Sequence, residues 1–297
     1  MTKNLTDPRD MFYNEKFPEQ ADKSSPALQK EMDPKPDCGE ESYKGSGRLE
    51  GLSALVTGGD SGIGRAAAIA YAREGANVAI HYLQGEEEDA KEVLDLIEAE
   101  GVKGLMLPGD FRSEGVVTEI IKEVVAEFGS LDILVLNAAQ QFARESLSEL
   151  TMEQVNDTFK VNVISMFEAA KEAEKHLKPG ASIITTTSVQ SFDPSDTLMD
   201  YAATNSAVSS LTVSLSSYFA DKGVRVNGVA PGPIWTPLQL DHGQPEGAIP
   251  EFGQNSLLGR AGQPVELAGV YVFLASKDAS YVTGQIYGVT GGENIDL

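Results

Sequence analysis

Two textures divide the chain. From Gly51 onward, short apolar runs alternate with amphipathic stretches, and the spacing of apolar positions switches between the period of two that suits a strand and the longer period of a helix. The runs 53–57, 77–82, 103–107, 131–136, 181–187, 224–230 and 284–289 predict strands. Between them, 63–75, 86–100, 115–128, 152–178, 200–221 and 264–275 predict helices. Such alternation implies βαβ units. Right-handed crossovers then build one α/β domain of Rossmann type, a doubly wound parallel sheet of seven strands in three layers. A Gly- and Pro-rich stretch interrupts the alternation late in the chain, beyond a strand's carboxyl end. It is expected to cover substrate as a loop at about 232–263.

Residues 1–48 are a different material: Pro8, Pro18, Pro26, Pro34 and Pro36 alternate with charges, and no apolar period survives. They read as an arm, extended or partly disordered, ahead of a domain spanning 49–297. Met11, Phe12, Tyr13, Phe17 and Leu28 are its candidate anchors, on the body or on a neighbouring subunit.

Charge and composition remove several classes of function. With 23 basic and 45 acidic residues the net charge is −22, which repels nucleic acid and anionic lipid. The single cysteine, Cys38, excludes an intrachain disulfide framework and fits a reducing cytoplasm. The opening MTKNLTDPRD lacks the apolar core of a secretion signal, and no apolar run is long enough to span a membrane. His81, His176 and His242 are scattered over a strand, a helix and a loop, so no metal cluster is expected.

The first strand runs into Thr57-Gly58-Gly59-Asp60-Ser61-Gly62-Ile63-Gly64 and then an alanine-rich helix. Glycines there permit positive φ and a close backbone approach to a pyrophosphate, which the helix N-terminus attracts. Gly64 lets helix and strand pack tightly. The spacing is not a P-loop, since no Gly-Lys-Ser/Thr follows.

This turn resembles the TGxxxGIG fingerprint of short-chain dehydrogenases/reductases, and other blocks of that family follow in order over about residues 50–292. Asn137-Ala138-Ala139 stands where the family has Asn-Ala-Gly. Asn162 matches its helix asparagine, Ser188 ends a strand, and Tyr201 follows at the usual separation. Pro231, Gly232, Ile234 and Thr236 lie in a stretch similar to the one that meets the nicotinamide half. The Pro-rich arm, with SYKGSGRL and the final Val-Thr-Gly-Gly, resembles the branch of glucose/ribitol dehydrogenase homologues.

The resemblance implies a hydride-transfer enzyme, an NAD(P)-dependent oxidoreductase acting on a carbonyl or a secondary alcohol. Its cofactor would be held by Gly58, Asp60, Ser61, Gly62, Ile63, Gly64, Tyr82, Asp110, Phe111, Asn137, Ala138 and Ala139, together with the 231–236 stretch, Tyr201 and Asn205. Ser188, Gln190, Tyr201 and Gln140, with Phe142, would face a small polar substrate. It also implies a homotetramer built on 152–178, 200–221 and the last strand. No carboxylate ends the second strand at Tyr82-Leu83, which favours NADP over NAD; Glu86, Glu87, Glu88 and Asp89 read as a solvated helix start.

One position departs from the family pattern. A lysine is expected four residues after the tyrosine, one helical turn along the same face, to lower the phenol's pKa; this chain has Asn205. Asparagine can hold a ribose hydroxyl but supplies no charge. Three readings follow: a lost lysine in a once ordinary reductase, a natural enzyme with weakened or retuned activity, or a non-redox, cofactor-sensing binding protein on the same scaffold.

Overall fold

The computed structural model describes residues 5–20 and 25–295; within the arm, residues 1–4 and 21–24 lie outside these. Seven parallel strands form one sheet, β1 Ser53–Thr57, β2 Asn77–Tyr82, β3 Gly104–Pro108, β4 Ile133–Leu136, β5 Ser182–Thr186, β6 Arg225–Pro231 and β7 Ile286–Val289, in the order β3-β2-β1-β4-β5-β6-β7. The order reverses between β1 and β4, and a crevice for a ligand opens at the carboxyl ends of strands beside such a reversal.

Alternation along the strands sorts side chains to two cores. Val56, Val78 and Ile80 face α1 (Gly62–Arg73), α2 (Glu87–Ala99) and α7 (Val265–Ala275), whereas Leu55, Ala79 and Leu134 face α3 (Val116–Phe128), α5 (Ser165–Ala173) and α6 (Met199–Ala220). The run Ala66–Ala70 in α1 is wholly or almost wholly buried, its small side chains allowing close contact with sheet and α7. Tyr71 donates to the Tyr271 carbonyl at 3.2 Å and ties α1 to α7.

The helix expected over 152–178 is not continuous. It divides into α4 (Met152–Phe159), a single π-helical turn at Lys160–Ile164 and α5, followed by irregular chain from Glu174. A π turn adds one residue per turn without disturbing the apolar period on either side, so periodicity reads it as one helix.

The arm lies against the body and adds a third apolar cluster, in which Phe17, Ala27 and Met32 meet Trp235, Leu240, Ile249 and Ala261. Phe17 stacks on Trp235 with ring centroids 3.9 Å apart, and Trp235 donates its indole N–H to the Pro34 carbonyl at 2.7 Å. Met11 remains exposed. Where the arm joins the domain, buried Glu74 accepts hydrogen bonds from Arg48, Tyr43 and the Ser46 amide; these hold its carboxyl down at about 2, although burial opposes them.

Candidate active site

A cleft of about 730 Å³ runs across the carboxyl ends of β1, β2, β4, β5 and β6. At its centre is the glycine turn. Gly58 and Gly62 adopt φ of +61° and +51°, and a Cβ at Gly64 would lie 1.8 Å from the Gly58 carbonyl oxygen, so only glycine lets α1 start this close to β1. Gly58, Asp60, Ser61, Gly62 and Ile63 line the cleft; Gly64 lies behind them and sets the packing.

Thr57 fixes the opposite wall. Its hydroxyl accepts the amides of Asn137 at 2.8 Å and Ala138 at 3.0 Å, while Asn137 Nδ2 donates to the carbonyls of Thr57 and Gly58 at 3.2 Å. Thr186 donates to Asn137 Oδ1 at 3.2 Å and shares a 2.6 Å hydrogen bond with Tyr271 of α7. One network therefore joins the turn after β1, the end of β4 and the end of β5.

At the far end stand Ser188, Tyr201 and Asn205, all buried and all lining the cleft. Burial raises the Tyr201 phenol above its ordinary value, and side-chain hydrogen bonds with Ser188 and Asn205 pull it back. The Asn205 amide also donates to the Tyr201 carbonyl at 2.9 Å, one turn back along α6, so it is folded onto its own helix. Among the described residues lining the cleft, Arg112 is the only Lys or Arg, and it is held by Asp110 at 2.7 Å at the β3 side. The phenol therefore has no ammonium or guanidinium beside it.

Asn162 sits in the π turn, outside the cleft lining. Its Oδ1 accepts the Gln140 amide at 2.9 Å, and its Nδ2 donates to the Gln140 carbonyl and the Thr204 hydroxyl, both at 3.1 Å. The extra residue of the turn lets one side chain reach both the end of β4 and the helix that carries Tyr201. Gln140 in turn donates to Thr158, which donates to Asp200 at 2.8 Å. Ser188 accepts the Gln190 amide at 3.2 Å, and Gln190 fixes the following loop through the Ser195 amide at 2.7 Å. Gln140, Gln190, Phe142, Pro231, Gly232, Ile234 and Thr236 all line the cleft.

The structure departs from the sequence expectations at the end of β2. Tyr82 does not line the cleft: strand alternation turns it into the core beneath α1, while His81 and Leu83 face the opening. His81 accepts the Gly58 amide at 3.3 Å, shares a 2.9 Å hydrogen bond with the Gly109 carbonyl and stacks on Phe111 at 3.9 Å, and burial lowers its pKa to about 4. It is a neutral buttress between the first three strands. The acidic start of α2 is not wholly solvated either. Glu87 and Glu88 are exposed, but Asp89 is buried and Glu86 turns back to accept the Leu83 amide at 2.8 Å, lining the cleft with buried Asp60. The period-of-two rule could have found His81; the return of Glu86 depends on a turn that leaves no apolar signal.

A family model described as Enoyl-(Acyl carrier protein) reductase matches residues 58–294. The chain is 58% identical over 292 residues to the oxidoreductase YhxD of Bacillus subtilis (strain 168), covering 97% of each. It is 41% identical over 294 residues to a glucose and ribitol dehydrogenase homolog of Oryza sativa subsp. japonica, covering 94% of this chain and 98% of that one. Among solved structures, a short chain dehydrogenase from Burkholderia cenocepacia J2315, in complex with NADP, has a TM-score of 0.78 at 33% identity, with 83% of this chain and 99% of that one covered. The chain belongs to the short-chain dehydrogenase/reductase family. As a short-chain dehydrogenase/reductase it is an oxidoreductase, and the side chains gathered around the crevice belong to that scaffold. Among the described residues, no helix is long and apolar enough to cross a membrane.

Proposed function

We propose that this chain is an NAD(P)-dependent oxidoreductase that reduces a carbonyl or oxidises a secondary alcohol, with activity weakened or retuned by Asn205. The single observation that carries the reading is the buried Ser188–Tyr201–Asn205 group at the far end of a glycine-lined cleft, with no lysine or arginine beside the phenol. The residues fit a dinucleotide. Glycine backbone stands where a Cβ would block approach, and α1 starts at the glycine turn, where its amides and dipole favour an anion. Gly58, Ser61, Gly62, Ile63 and the 137–139 wall would hold it, and NADP or NAD, when bound, supplies or accepts the hydride.

The rest of the chemistry belongs to the protein. Tyr201 donates its proton to the oxygen of a carbonyl undergoing reduction and takes one from an alcohol undergoing oxidation. Ser188 hydrogen-bonds the same oxygen and fixes its distance from Tyr201. Asn162 acts at one remove, by positioning the β4 end and α6. Asn205 is a neutral hydrogen-bonding group and cannot stabilise tyrosinate as an ammonium does; each pKa unit lost costs about 1.4 kcal/mol, about tenfold in the rate of a step that needs that ionised form.

Absorbance of the reduced dinucleotide against aldehydes, ketones and sugars tests the reading. Slow consumption is expected, falling at least about a hundredfold in Tyr201→Phe with dinucleotide affinity kept. Dinucleotide binding with no consumption by any substrate favours instead a cofactor-sensing binding protein, the reading supported by the Asn205 amide being bonded to its own helix.

A further inference from the structure

The glycine turn has neighbours that the alternation of strands and helices does not supply. Gly62 donates its amide to Gln29 Oε1 at 2.7 Å, and its carbonyl accepts the Cys38 thiol at 3.5 Å; both partners come from the arm. Gln29 and Cys38 also touch each other, Nε2 to Sγ at 3.3 Å, and both are buried. Burial pushes the Cys38 thiol well above its ordinary range, so it is a protonated donor at neutral pH. The Gln29 amide donates to Asp89 at 2.6 Å and Lys30 pairs with Glu88, fixing this part of the arm to α2.

Just before it, Pro26 and Ala27 line the cleft, as do Asp60 and Glu86. A Cβ on Gly85 would meet Pro26 at 3.4 Å, so the arm rests on the loop that follows β2. This is the half of the cleft remote from Tyr201.

We propose that arm residues 26–38 are a built part of the dinucleotide site, with Gln29 and Cys38 as positioning residues for Gly62 and with Pro26 and Ala27 walling the adenosine diphosphate half. The proposal rests on the dinucleotide reading above. Position 62 has positive φ, and its peptide must face a fixed way for the neighbouring amides to meet a pyrophosphate. Holding both polar atoms of that residue from one segment lowers the cost of ordering the turn on binding.

Calorimetric titration of the full chain with ADP, and separately with nicotinamide mononucleotide, tests it, comparing the unaltered protein with Gln29→Met, which keeps side-chain length and removes the acceptor. ADP should bind at least about fivefold more weakly to Gln29→Met, with mononucleotide affinity unchanged within about twofold. Steady-state KM for the dinucleotide should rise with kcat unchanged. Equal affinities in the two proteins overturn the role of the arm; equal weakening of both ligands overturns it too, since only the adenosine half is assigned to it. If the unaltered chain binds neither ADP nor a dinucleotide, the reading of the cleft falls, and the proposal with it. Pro26→Glu, at a part-exposed position, serves if Gln29→Met fails to fold: a carboxylate on the wall should weaken ADP and spare the mononucleotide, and unchanged ADP affinity overturns the proposal.

Discussion

At the residue scale, Glu86 and Asp60 set the electrostatics beside the β2 end of the cleft. Burial, and then the charge of Asp60, raise the Glu86 carboxyl well above the ordinary carboxylate range, and burial raises that of Asp60. Acids with raised values are protonated below them and negative above. Protonated, Glu86 would offer a donor and little repulsion to a 2′-phosphate placed beside it; as pH rises both groups become negative. The ratio of NADP to NAD affinity should fall about tenfold between about pH 6 and about pH 10, and fall less in Glu86→Gln. Titration with both dinucleotides at several pH values checks this, and a flat ratio rules it out. Tyr201, Ser188 and Asn205 were read from the family resemblance, and the four-residue spacing of Tyr201 and Asn205 puts those two on one helical face. Glu86 and Arg112 were not legible, because what they face depends on loops with no period, whereas the alternation along β2 already carried the placement of His81.

At the element scale the glycine turn is the most exacting piece. A methyl group at Gly64 must displace the Gly58 carbonyl, which is backbone and cannot move as a side-chain tip would. Gly64→Ala should cost about 3 kcal/mol of stability and remove dinucleotide binding. Thermal unfolding and calorimetry read the two effects, and native values for both would refute the packing argument. Strand and helix positions followed from the apolar periods to within one to three residues at most boundaries. The π turn at Lys160–Ile164 was invisible, since it inserts a residue without altering which side chains are apolar, yet it is the feature that lets Asn162 bond to both Gln140 and Thr204.

For the whole molecule, the doubly wound sheet was legible because each strand and helix carries its own pattern and crossovers have one hand. The path of the arm was not. Its prolines remove any period, and its contacts are made with residues far along the chain: Phe17 with Trp235, Gln29 with Gly62, Lys16 with Glu251. The scaffold thus brings the arm and the segment after β6 to one cleft, with Ser188, Tyr201 and Asn205 at its other end and, among the described residues, no lysine or arginine beside the Tyr201 phenol.

That last feature is the central claim, and steady-state oxidation and reduction of the dinucleotide by the native chain and by Asn205→Lys, from about pH 6 to about pH 10, tests it most directly. Alcohol oxidation needs tyrosinate. With the Tyr201 phenol raised, the native rate should climb across the range without a plateau. Asn205→Lys should shift that limb to lower pH and raise the rate near neutrality about tenfold to a hundredfold. Identical rates and pH profiles in the two proteins would contradict the account.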